Sequence, residues 1–160
     1  MDKATVMATP PRGFLRFGLR LPIWLYRLNL GWLLGNRFLL LTHVGRKSGK
    51  SRQTVLEVVK YDQVSSSFFV VSGWGDKADW YLNIRKNPDV TICSGRQYLQ
   101  VRAKEIELAR AVDILNEYTR LYPIAFKELT SLFLGERLQP GLEASQRLAE
   151  IMPMIVFRPR

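Results

Sequence analysis

Between residues 38 and 104 the chain repeats one pattern: a short run of β-branched and apolar residues, then a break built from Gly, Pro, Asp, Asn or Ser. The runs are Phe38–Val44, Gln53–Tyr61, Phe68–Ser72, Val90–Ser94 and Gln97–Lys104. A parallel strand pair needs a crossover of a dozen or more residues, usually a helix, and this stretch lacks a regular strand–helix alternation. The spacing therefore predicts an antiparallel meander and disfavours a doubly wound sheet. Asp76 is placed to cap a short helix carrying Trp80, Asn83 and Ile84 on one face, which Asn87 ends before Pro88. From Glu107 apolar residues recur every three or four positions, through Leu108, Ala111, Leu115, Tyr118 and Tyr122, until Pro123. Short helices are expected at 124–134 and 142–151, and a last strand at Met154–Phe157. The sum is a mainly β fold: a partly open, six-stranded antiparallel β-barrel with flanking helices.

A chain of 160 residues, 47% of them hydrophobic, is enough for one domain with a real core. Residues 37–160 are read as that barrel domain, and 1–36 as a lead-in with an amphipathic helix. The segment 14–34 is mostly apolar but is cut by Arg16, Arg20, Pro22 and Arg27, so it is neither a clean membrane span nor a convincing secretory signal. A helix packed on the barrel with its arginines snorkelling outward is the favoured reading, and peripheral contact with an anionic membrane is the alternative. The single cysteine, Cys93, lies in an apolar run and reads as core, which fits a reducing cytoplasmic compartment.

Of the net charge of +10, residues 1–60 supply +9: eleven Lys or Arg against Asp2 and Glu57. That excess suits nucleic acid, an anionic membrane or a phosphorylated cofactor, and charge alone does not separate them. Gly45-Arg46-Lys47-Ser48-Gly49-Lys50-Ser51 resembles a phosphate-binding P-loop at its last three positions. It has one residue too few between the glycines, and a β-rich run rather than a helix follows it. The turn still suits an anion, through backbone made approachable by glycine, the Ser48 and Ser51 hydroxyls, and the cations Arg46, Lys47, Lys50 and Arg52. One histidine and one cysteine leave no metal-ligand spacing and no catalytic triad.

The stretch Leu39–Arg52, then Val71-Ser72-Gly73, then Asp79-Trp80-Tyr81-Leu82-Asn83-Ile84-Arg85-Lys86-Asn87-Pro88, resembles the deazaflavin-dependent nitroreductase family. The likeness covers about residues 37–123 well and the last strand loosely. It implies that the six-stranded antiparallel barrel is a split β-barrel of the FMN-binding type, and that the protein is an oxidoreductase passing a hydride from reduced coenzyme F420, a deazaflavin, to a quinone, nitroaromatic or similar acceptor. Carried over residue by residue, Arg46, Lys47 and Arg52 match the phosphate-binding cations, with Ser48 beside them. Thr54, Val55 and Leu56 match the strand behind the deazaflavin ring, Ser72 and Gly73 the strand end at the ring edge, and Trp80, Tyr81 and Asn83 the helix closing over the cofactor. On this reading the turn and the Trp80 helix stand at opposite ends of one elongated cavity. Tyr122 is the candidate catalytic residue near the acceptor, and His43, where the family carries a hydroxyl-bearing residue, is a candidate proton donor. The stretch after Tyr122-Pro123, Ile124-Ala125-Phe126-Lys127-Glu128, lacks the further tyrosines of strongly active relatives.

FMN, with its single phosphate, is the alternative cofactor. A binding module without turnover, holding lipid, haem or cofactor, is the alternative from another class. Nucleic acid is not expected as a partner, because aromatic and basic residues are not interleaved on a recognisable strand motif. The partner expected is a small hydride acceptor, and the protein is expected to be a monomer or homodimer.

Overall fold

A computed structural model describes residues 37–73 and 75–160. The expected N-terminal amphipathic helix and its membrane contact lie outside these residues. Six strands, β1 (Phe38–Val44), β2 (Ser51–Asp62), β3 (Ser67–Val71), β4 (Asp89–Ser94), β5 (Gln97–Glu105) and β6 (Met154–Pro159), pair antiparallel throughout. Their order around the sheet is β1-β2-β3-β6-β5-β4, and the pairing of β4 with β1 closes the barrel. The expected barrel is thus present, but as a hydrogen-bonded ring rather than a partly open one. The last strand, β6, bridges the β1-β2-β3 meander to the β4-β5 hairpin by pairing with both β3 and β5.

Alternation along each strand separates two cores. Leu39, Leu41, Leu56, Phe68, Val70, Ile92, Val101, Ile155 and Phe157 point inward and fill the barrel. Phe69, Met154 and Val156 point outward and are covered by α2 (Leu108–Leu121), α3 (Pro123–Leu134) and α4 (Leu142–Ile151), which bring Leu115, Tyr118, Phe126 and Leu148. Pro123 starts α3 at its first turn, where its missing N–H costs nothing, and so divides one periodic stretch into two helices.

A bulge in β2 between Val58 and Lys60 breaks the alternation. Val59 joins the outer core, and Lys60 reaches Glu117 of α2 at 2.8 Å on the same side. The fourth helix, α1 (Asp79–Lys86), packs on β1 and β5 and seats Trp80, Tyr81 and Ile84 in the barrel interior. Asp76 does not cap it. That residue lies in a 3-10 turn, Gly75–Lys77, and Ala78 occupies the cap position without a side-chain bond. Among the described residues no helix is long and apolar enough to cross a membrane.

Candidate functional site

The basic turn is a tight, self-bonded loop between β1 and β2. The Gly45 N–H donates to the Lys50 carbonyl and the Gly49 N–H to the Gly45 carbonyl, both at 2.8 Å. Gly49 has φ +69°, a conformation that favours glycine, and a Cβ on Gly45 would come within 2.5 Å of Ser48 Oγ. Ser48 Oγ accepts the Lys50 N–H at 3.2 Å. Strand β2, not a helix, follows the turn, which removes the P-loop reading structurally as well.

The four cations of the turn fall into two kinds. Arg46 is tied to α1: its backbone N–H and Nη1 both donate to Asn83 Oδ1 at 3.0 Å, and Nη1 also reaches Asp79 at 3.1 Å. Lys86 closes the joint by donating to the Arg46 carbonyl at 3.0 Å. Lys47, Lys50 and Arg52 are exposed and form no ion pair among the described residues. The turn and α1 are thus bonded directly to each other, not held apart at two ends of a cavity.

His43 sits behind this joint. Its side chain is 5% exposed and faces the barrel interior in register with Arg52. Because Asn83 Oδ1 already accepts twice from Arg46, the network assigns Asn83 Nδ2 as donor to His43 Nδ1, at 3.0 Å. The imidazole then carries its proton on Nε2. Burial, reinforced by the Arg52 charge and opposed by Asp79, lowers its pKa from 6.5 to about 4, so at neutral pH it is uncharged.

The remaining sequence candidates scatter. Thr54 and Leu56 pair with Leu41 and Leu39 on the inward side of β2, while Val55 packs outward with Leu40 and Cys93, so the three side chains do not share a face. Ser72 is fully buried, and its hydroxyl donates to the Gly75 carbonyl at 2.6 Å; Gly73 is buried beside it. Trp80 and Tyr81 belong to the barrel core. The Tyr81 hydroxyl donates to Glu105 at 2.7 Å, and burial with that carboxylate pushes its pKa up to about 12.

Tyr122 stands elsewhere, on a cleft of about 290 Å³ between β2 and the end of α2, lined by Arg37, Val58, Lys60, Tyr118 and Leu121 among others. Arg37 lies 5.0 Å from the centre of the Tyr122 ring, and the Tyr118 and Tyr122 rings are 5.4 Å apart. Beside the cleft the Tyr118 hydroxyl donates to Glu57 Oε1 at 2.5 Å, with Arg37 Nη2 3.9 Å from the same oxygen. Burial raises the Glu57 pKa against the lowering by Tyr118 and Arg37. Sequence reasoning passed over Asp79, Lys86, Glu57 and Arg37. The signals available were the shared helix face of Asp79, Asn83 and Lys86, and the one acidic residue inside an apolar strand.

A closed six-stranded antiparallel barrel with helices on its outside defines the class: a small split-barrel protein. Residues 19–130 match the model of the F420H(2)-dependent quinone reductase family, and the chain belongs to that family. The match starts well before residue 37, so the family likeness includes part of the segment read as lead-in. The protein is therefore an oxidoreductase whose cofactor is coenzyme F420 rather than FMN. Three solved structures share the fold. An F420-H2 dependent reductase (FDR-A) is 24% identical over 78% of this chain and 96% of that one, with TM-score 0.50. An FMN-binding protein related to pyridoxamine 5'-phosphate oxidase from Nostoc punctiforme is 11% identical over 92% and 81%, with TM-score 0.50. The haem storage protein HutZ of Vibrio cholerae is 12% identical over 81% and 85%, with TM-score 0.52. The donors of the turn fit an anionic tail in their chemistry, since Lys47, Lys50 and Arg52 are cationic and exposed beside the exposed Ser48.

Proposed function

We propose that this reductase holds the anionic tail of F420 on Lys47, Lys50, Arg52 and the Ser48 hydroxyl, and reduces a quinone-class acceptor placed at the Tyr122 cleft. The bound coenzyme supplies the hydride; the chain supplies charge, orientation and shelter from water. The observation that carries this reading is the division of the turn. Arg46 is consumed in a joint with α1, while Lys47, Lys50 and Arg52 are exposed and form no ion pair among the described residues. Glu57, beside the cleft, lies five residue steps along β2 from Arg52, about 17 Å at the usual strand rise, a span suited to an elongated molecule with a tail and a ring.

His43 in this account is a neutral link that orients Asn83 and through it the turn, rather than a proton donor. Trp80 and Tyr81 give α1 its seat in the barrel, and Ser72 with Gly73 fixes the chain reversal after β3. Residues 37–160 form the reductase domain proper.

The test is steady-state oxidation of reduced F420 with menadione as the quinone and a nitroaromatic as competitor. Turnover with menadione, and a slower rate with the nitroaromatic, is expected. Binding of F420 without turnover of either acceptor would instead mark a carrier, and a faster nitroaromatic rate would reassign the acceptor.

A further inference from the structure

Two of the polar side chains that line the Tyr122 cleft are already committed. The Tyr118 hydroxyl gives its one hydrogen to Glu57 Oε1 at 2.5 Å, and Lys60 Nζ donates to Glu117 at 2.8 Å. Arg37 differs from both. Its nearest carboxylate oxygen, Glu57 Oε1, is 3.9 Å from Nη2, beyond hydrogen-bonding distance, so its planar fork of N–H groups makes no hydrogen bond among the described residues. The guanidinium lies 5.0 Å from the centre of the Tyr122 ring, and the side chain is about half exposed, so the ring contact holds it at the cleft within reach of a ligand. The charged groups lining the cleft are Arg37, Lys60 and Glu117, while Glu57 stands outside the lining. Lys60 and Glu117 cancel as a pair, which leaves the lining with the Arg37 charge.

We infer that Arg37 is the catalytic residue that meets the charge created by hydride transfer, its N–H groups hydrogen-bonding the acceptor oxygen that turns anionic. The inference rests on the reading of that cleft as the acceptor site. A quinone that takes a hydride with its electron pair becomes a hydroquinone monoanion: one oxygen ends as O–H and the other carries the negative charge. The acceptor is reduced and the coenzyme is oxidised. Arginine is not deprotonated in proteins, so no bond of the chain breaks in this step. The anion takes its proton from water, which reaches the cleft past Tyr122 and Leu121, 41% and 63% exposed. A hydrogen bond from a guanidinium to a charged oxygen is stronger than one to the neutral carbonyl it replaces. The contact therefore strengthens as the hydride moves, which lowers the barrier rather than merely tightening acceptor binding.

Two readouts test it. The first is steady-state reduction of menadione with reduced F420. Arg37→Gln is expected to lower kcat about 100-fold with KM little changed, and Arg37→Lys, which keeps the charge without the fork, to recover part of the loss. The second needs no turnover: calorimetric titration of the protein loaded with oxidised F420, using menadione and lawsone, a hydroxynaphthoquinone of similar shape that is ionised at neutral pH and so mimics the monoanion. The native protein is expected to bind lawsone about tenfold tighter than menadione. Arg37→Gln is expected to lose that preference and to bind menadione as the native protein does. Arg37→Gln with the native kcat, or lawsone bound no more tightly by the native protein than by Arg37→Gln, would overturn the inference while native turnover of menadione upheld the reductase reading. A native protein that binds F420 but reduces no acceptor would overturn both.

Discussion

His43 and Glu57 are both titratable groups taken out of water by a strand, and they respond to pH in opposite directions. The folded pKa of His43 lies at about 4, below its ordinary 6.5. Its contribution to stability is therefore complete above pH 6.5 and is lost as pH falls through 4, up to about 3 kcal/mol. Melting temperature should drop more steeply between pH 6.5 and 4 in the native protein than in His43→Gln, and parallel curves would exclude the effect. For Glu57 the folded pKa is raised, so its contribution is complete below the ordinary 4.5 and is lost as pH climbs through the raised value. Glu57→Gln should thus melt higher than the native protein at neutral pH, with the gain shrinking toward pH 4.5. Differential scanning calorimetry across that range checks it, and a variant that melts lower at neutral pH would contradict it. Neither setting was legible in the sequence. The partner of His43 is 40 residues away and that of Glu57 is 61 residues away, and no local pattern carries such pairings.

The turn and α1 act as one unit because Asn83 serves three bonds at once. Asn83→Leu strands the Arg46 N–H and the His43 Nδ1, each worth about 1–3 kcal/mol when left unpaired, and should both destabilise the fold and loosen F420 binding. Arg46→Ala removes a bond to Asn83 and an exposed ion pair, a loss of about 1 kcal/mol, or about 2–4 °C in melting temperature. Lys47→Ala should leave melting unchanged and weaken F420 binding roughly tenfold or more. Equal loss of stability in the two variants would mean that the distinction between them is wrong. The strand limits were readable because alternation and turn residues are local properties: Phe38–Val44 was predicted and found without change. The bulge at Val58 was not, since one inserted residue changes facing without changing composition. The sequence grouped Arg46 with Lys47 by charge, and only the packing of α1 separates them.

At the scale of the whole molecule, two cores share β3 and β6. Phe69 joins the outer helices to the sheet, so Phe69→Ala should cost about 3–5 kcal/mol and release α2 with Tyr118. The antiparallel barrel and its helices were legible in strand spacing, and the family in the residues around the turn. What was not legible was where the functional groups stand relative to one another: α1 against the turn, and Tyr122 across the cleft from the far stretch of β2. Those relations depend on barrel closure and on the path of α2. The central claim is that the cations of the turn hold the coenzyme tail. Its most direct test is equilibrium titration of intact F420 and of the same deazaflavin lacking its tail, into native protein and Lys47→Ala, at low and high salt. The account predicts tighter binding of intact F420 to the native protein, with the preference reduced by the substitution and by salt. Equal affinity for the two deazaflavins, unchanged in the variant, would contradict it.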